Sequence, residues 1–477
     1  MKKIYILALA ILPLLLPACT DNFEEFNEEQ KKPSTVAGEA LFSNAQKDLI
    51  DQISSTNVNR NIFKLWTQYW TETTYLDESN YDITTRNIDN NTYQHYYREA
   101  LKDLLEAETI ISTTEYPLDP SPKIKENKLH IIALVRAYAF QQLVDIFGAV
   151  PYGEALDIDN VYPAYEAGDA IYKDLINKVD AAVKGLDTGY GAFGSADLYY
   201  SSDINKWIKF GNALKIKLGI TLADYDKTLA ESTILSGVNG GTFTSSQDDA
   251  LFNYQQSSPN FNPLYADIIA SGRNDFVPTT TILEIMNTLE DPRRAAYFTL
   301  YDGNYVGGPY GYASAYISHS HIATVISAPD FQGILLTYGE IQFYLAEAAA
   351  RGFAVPQSAE AYYKEAVKES FAFWGIQGAE DYLDKPEIKY NQAKWQELIA
   401  TQEWLAFYTR GLEGYTTWRR LDYPRFNVAE LISTESDIPT RFTFPVNEQT
   451  LNKLKYDEAV KLIGGDLPTT RIFWDVN

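Results

Sequence analysis

Apolar residues recur every three to four positions along most of this chain, the spacing of helices that bury one face. The pattern predicts helices over Gly38 to Ile53, Asn59 to Thr74, Asn91 to Ile111, Lys125 to Phe147 and Gly168 to Leu186. In the second of these, Ile62, Phe63, Trp66, Tyr69 and Trp70 share a face. A long helix runs from Lys206 to about Asp226, with Asp203 placed to cap it. Periodicity nearly vanishes over residues 236–335, where Gly, Ser, Asn and Tyr rise and only Thr279 to Leu289 reads as helical. Helices resume at Tyr338 to Gly352, where Glu347 and Arg351 form an i,i+4 pair and Gly352 is the stop. The next helix has Ser358 as N-cap and ends at Gly375, and Trp395-x-x-Leu398-Ile399 opens another. These last pairs, with alanines at their contact, read as an irregular tetratricopeptide-like array. From Thr416 the chain is expected to be irregular.

The first apolar stretch is different. Ile4 to Leu16 gives 13 apolar residues behind Lys2 and Lys3, too short for a membrane span and right for a secretory leader. It ends in Leu16-Pro17-Ala18-Cys19, and Cys19 is the only cysteine in the 477 residues. A cysteine there has the form of a bacterial lipobox, cut before the Cys and lipidated on it; an ordinary signal peptide with an incidental cysteine is the alternative. Residues 1–18 are then the cleaved leader, 19–33 a lipidated acidic tether, and 34–477 one domain with 236–335 as its loop-rich ligand-binding region.

A net charge of −24 opposes binding to nucleic acid or anionic lipid faces. Aromatic residues reach 14%, with 35 Tyr, more than a core needs and suited to surfaces that meet sugars or other polar ligands. His319-x-His321 would place two imidazoles on one face of a strand, but the sequence offers no third metal ligand. Phosphate-loop, dinucleotide, nucleophile-elbow and HExxH motifs do not occur, and no cofactor is expected.

Several segments together resemble the SusD/RagB-type nutrient-binding lipoproteins of bacterial outer membranes, in particular their SusD-like subgroup. They are Gln141 to Tyr152 (QQLVDIFGxVPY), Asp203 to Leu214 with Trp207, Phe210 and Asn212, Asp291-Pro292-Arg293, Tyr338 to Ala348 (YGEIQFxLAEA), Trp418-Arg419-Arg420-x-x-Tyr423-Pro424, Ile438-Pro439-x-Arg441-Phe442 with Pro445 and Glu448, and Gly464-Gly465-Asp466 before Trp474-Asp475. They come in the family's order across the chain. Thr440 departs from it, standing where a second arginine is common. Most of these residues have a structural reading: Asp291 and Arg293 tie down a loop, and Glu340 and Glu347 meet Arg419, Arg420 or Arg441.

The resemblance implies a mainly α fold with tetratricopeptide-like units carrying a loop-rich binding region. It implies a lipid-anchored protein on the outer membrane, facing outward, that captures a glycan and passes it as a lid to a SusC-like TonB-dependent transporter. Peptide capture is the alternative within the family. A lipid-anchored glycoside hydrolase or a purely structural scaffold are readings from other classes; no enzymatic activity is expected. Candidate ligand contacts lie in two aromatic regions. One holds Trp70, Tyr75, Asn80 and Tyr81; the other holds Arg273, Asn274, Asp275, Phe276, Tyr305, Tyr310, Tyr312 and Tyr316. Trp66 and Trp70 also fit core packing.

Overall fold

The structure is a computed structural model and describes residues 36–114, 122–427 and 438–476. Cys19 and the acidic tether lie outside these. The first helices are α1 (Gly38–Ser54), α2 (Lys102–Thr113), α3 (Pro122–Phe147) and α4 (Gly168–Gly185). They are followed by α5 (Ile204–Thr221), α6 (Lys227–Asn239) and α7 (Thr280–Thr288). The C-terminal third carries α8 (Tyr338–Ala350), α9 (Ala359–Phe373), α10 (Trp395–Ala406), α11 (Gly411–Leu421) and α12 (Lys453–Ile463). Consecutive helices pack as pairs, α3 on α4, α5 on α6, α8 on α9 and α10 on α11. Connections of four to eight residues turn α6, α9 and α11 back on the helix before each, while residues 148–167 join α3 to α4. The expected mainly α, tetratricopeptide-like architecture is what forms.

Local chemistry explains where these helices begin. Asp203, Thr279, Thr337 and Ser358 each accept a hydrogen bond from the backbone N–H three residues on, which satisfies an orphan donor of the first turn. The α5/α6 pair is close enough to need glycine: a Cβ on Gly237 would lie 2.5 Å from the Asn212 carbonyl oxygen. Gly352, at φ +85°, ends the α8 hairpin in a conformation that a side chain would strain.

Three expectations are corrected. Asn59 to Thr74 is not one helix. Only Phe63–Trp66 is helical; Gln68 then takes a left-handed φ of 55°, and Trp70–Glu72 forms strand β1. Thr71 and Thr73 favour extended backbone there. The chain beyond Thr416 is more regular than expected, because α11 continues to Leu421 and Val446–Leu451 and α12 follow. Residues 236–335 hold more structure than one helix: short helical turns at Pro263–Tyr265 and Arg294–Tyr297, and strands outside the helical pattern.

The other strands are β2 (Ala149–Pro151), β3 (Tyr165–Ala167), β4 (Ala250–Phe252), β5 (Phe276–Pro278) and β6 (Gly333–Leu336). They pair antiparallel as β1 with β5, β2 with β3 and β4 with β6. The β1–β5 and β4–β6 pairs stitch together segments distant in sequence.

A buried ionic network sits where the helical pairs meet. Lys217 on α5 donates to Glu340 on α8 at 2.8 Å, and Arg410 donates to the other oxygen of the same carboxylate. Glu413 on α11 accepts from Gln142 of α3 at 3.0 Å and from Tyr138 at 3.1 Å. Glu347 pairs with Arg420 and Arg351, and Arg420 reaches Glu403 at 3.2 Å. Thus Glu347 has the expected type of partner, whereas Glu340 pairs with Arg410 and Lys217. Arg419 instead donates to the Asp145 and Thr440 carbonyls, and Arg441 pairs with Asp466. Burial opposes ionisation of Glu340, yet Arg410 and Lys217 overcome it and hold the carboxyl well below its usual range. Burial pushes Glu403 up to about 7, because Arg420 only partly offsets it.

Arg410→Met should therefore cost about 3–5 kcal/mol, since it leaves buried carboxylates short of a cation. Urea unfolding followed by circular dichroism measures this; a loss below about 1 kcal/mol would show the network to be dispensable.

Candidate functional site

The sequence-separated candidate regions meet in space, and strand pairing brings them together. β1 and β5 run antiparallel with Trp70 opposite Pro278, Thr71 opposite Val277 and Glu72 opposite Phe276. The pairing continues past the strands, as Thr73 donates from its N–H to the Asp275 carbonyl at 2.8 Å and from its hydroxyl to the Asn274 carbonyl at 2.7 Å. A third segment, 305–316, closes over the same place. Gly308 N–H donates to the Pro278 carbonyl at 2.8 Å, Gly311 N–H reaches the Thr71 hydroxyl at 3.3 Å, and the Asn80 amide donates to the Gly311 carbonyl at 3.0 Å. Glycine is needed at this crossing, because a Cβ on Gly307 would lie 2.4 Å from the Thr279 carbonyl oxygen.

The candidate residues divide into a floor and a surface. Trp70, Tyr81, Phe276 and Tyr310 are buried and form the floor. The cause is the strand at 70–72, which turns Trp70 inward; its indole donates to the Tyr408 hydroxyl at 2.8 Å and its ring packs on Phe276 at 5.8 Å. Tyr310 packs on Tyr81 at 6.0 Å in the same way.

Tyr75, 68% exposed, stands on the surface, its backbone in a left-handed φ of 60°. Arg273 and Asn274 are exposed beside it, and Arg273 is close enough to feel the Tyr75 phenol. Asp275 pairs with Arg273, while Asn80 and Tyr312 are half-buried at the edge. Tyr305 and Tyr316 have other neighbours: Arg294 lies over the Tyr305 ring at 5.3 Å, and Tyr316 stacks on His321 at 3.7 Å. His319 and His321 are not on a strand as expected, and no cluster of three or more metal-ligating side chains occurs among the described residues.

Exposed or half-buried aromatic rings, amides and an Arg–Asp pair on one surface suit a polyhydroxylated ligand. Rings stack on C–H faces, while the amides and charges direct hydrogen bonds to hydroxyls.

Beneath the Tyr75 loop lies a feature that sequence reasoning missed. Glu72 is buried and accepts from the Ser79 N–H at 3.0 Å and hydroxyl at 2.8 Å. Its neighbour Glu78 is also buried and pairs with Arg86 through one oxygen. Burial, then the hydrogen bond and charge of Glu78, push Glu72 up to about 9, so the two carboxyls share a proton at neutral pH. The alternation of β-branched threonines with Glu72 was the available signal for a strand with a buried acid.

A cleft of about 1050 Å³ lies elsewhere, between α7, residues 386–394, the start of α10 and residues 423–425. None of the residues singled out as ligand contacts lines it.

Residues 29–445 match the family SusD-like_2, described as starch-binding associating with outer membrane. The chain belongs to this SusD-like family. No curated protein matches it significantly. Among solved structures it is similar to a SusD homolog from Bacteroides uniformis, with TM-score 0.80, 24% identity, and coverage of 92% of this chain and 99% of the other. A chitin-binding SusD homolog from Flavobacterium johnsoniae gives TM-score 0.77 at 22% identity, covering 92% and 98%. A chitin-binding protein gives 0.79 at 23%, covering 92% and 100%. At these identities the likeness is one of fold.

The shared proton gives this SusD-like protein a pH dependence with a definite sign. Folded Glu72 keeps its proton up to about pH 9, whereas the unfolded chain releases it near its ordinary value of 4.5. The folded state thus binds more protons across that window, and this pair makes stability fall as pH rises through it. Glu72→Gln keeps a donor toward Glu78 and an acceptor for Ser79 without titrating. Melting curves from pH 5 to 9 should show the variant gaining on the parent as pH rises; a constant gap contradicts a shared proton.

Proposed function

We propose that this protein captures oligosaccharides at the outer-membrane surface and delivers them, as a lid, to a SusC-like TonB-dependent transporter, held there by lipid on Cys19. The observation that carries the reading is the meeting of three distant segments at one surface bearing Tyr75, Asn80, Arg273, Asn274, Asp275 and Tyr312. The family description, starch-binding associating with outer membrane, supports it, as do two relatives of like fold named for chitin binding. The role needs no chemistry on the sugar. A lid works by contacts that differ between its open and closed states.

Stacking on one ring contributes about 1 kcal/mol, so Tyr75→Ala and Tyr312→Ala should each weaken oligosaccharide binding several-fold to about tenfold. Isothermal titration of the purified mature chain against a neutral glycan panel measures this. Saturable binding without hydrolysis is the expected result; unchanged affinity in both variants removes this surface as the site.

A further inference from the structure

The cleft of about 1050 Å³ is of the size that takes several sugar units, and the site around Tyr75 makes no use of it. Ile285, Leu289, Ile388, Leu398 and Pro424 line it with apolar surface. Its polar lining has no dominant sign. Glu284, Glu360, Glu387 and Glu397 line it together with Lys389, Lys394 and Arg425 and the amides Asn391 and Gln392. A polyanion or a polycation would meet like charge on one side or the other. A neutral, hydroxyl-rich chain finds donors and acceptors along the whole length. Two half-buried tyrosines supply rings: Tyr423, with the Arg425 guanidinium at 4.9 Å over it, and Tyr390, whose hydroxyl donates to Gln392 at 2.7 Å.

The cleft also has a fixed relation to the first site. Glu284, Ile285 and Thr288 of α7 line the cleft, while Asn287 of the same helix donates to the Tyr305 carbonyl at 3.3 Å. At the helix start, Thr279 donates to the Gln68 carbonyl and Thr281 to the Gln68 amide oxygen. Asn427, two residues past Arg425, donates to that same amide oxygen at 3.1 Å and through its own side chain to Thr281 at 2.9 Å. One short helix is therefore the wall shared by the cleft and the β1–β5 site.

We propose that this cleft is a second binding site for a neutral oligosaccharide, separate from the surface around Tyr75. The proposal rests on the glycan reading above. It differs in assigning the ligand to residues outside the aromatic regions and in requiring two sites per chain.

The test is titration of the mature chain with maltoheptaose, chitohexaose, cellohexaose and xylohexaose. Three proteins are compared: the parent, Tyr75→Ala/Tyr312→Ala, and Thr288→Trp/Arg425→Ala. Thr288 and Arg425 are exposed, so the last pair blocks and strips the cleft without touching the core. Thermal melts check that each variant folds. Two equivalents bound by the parent, one of them weakened at least tenfold by the cleft variant and retained by the Tyr75 variant, is the expected result. One equivalent that the cleft variant leaves intact overturns the second site and leaves the glycan reading standing. One equivalent lost only in the cleft variant overturns the two-site proposal and removes the Tyr75 surface, leaving the cleft as the single site. Absence of binding by the parent to all four probes overturns both.

Discussion

The chain of charges buried between α3, α5, α8 and α11 is the constraint on which the other contacts depend. Helical hairpins stacked without a strict repeat have apolar faces that could slide by a turn at small cost. Lys217, Glu340, Arg410 and Glu413 allow no such slip, because any shift strands an ion away from water. Arg293 acts similarly at the next layer. Fully buried, it grips Asp291 two residues back and reaches Ser370 on α9 and Gln402 on α10. Such ions add little net stability over an apolar core; what they fix is register. The two ionic clusters thus set where α7 and the loop after it come to rest against the helical stack.

Much of the scaffold was legible in the sequence. Helices with a regular apolar stripe and a Ser, Thr or Asp cap begin within a residue or two of where they are expected, as α5, α8 and α9 do, although α5 stops at Thr221, short of the expected Asp226. What failed to read were the places where tertiary pairing overrides local periodicity. Ile62 to Trp70 has helical spacing, but Gln68 turns left-handed and the rest joins a strand whose partner lies some 200 residues later. Arg410 was invisible for a related reason: nothing in its neighbourhood marks it as the ion that answers Glu340.

The candidate site was half legible. Composition pointed to segments that the fold does bring together, since tyrosines among glycines and asparagines have no helix to build. It could not say which rings face outward, because in short strands and loops that depends on the partner strand. Tyr81 and Tyr310 pack on each other, and Trp70 and Phe276 do likewise, leaving Tyr75 and Tyr312 with accessible surface. The cleft beyond α7 was missed altogether, as its lining comes from turns and helix ends with ordinary mixed composition.

The pairing of β1 with β5 bears on how the protein is made. Residues 70–81 emerge from the ribosome long before 273–278 and 305–316, and both sets must find each other across the intervening α2 to α6. Closing so long a loop is slow, and the contacts that reward it come only at the end. The candidate surface is accordingly a product of the finished fold. A chain cut off anywhere between residues 82 and 272 carries Tyr75 and Asn80 but none of the surface's shape.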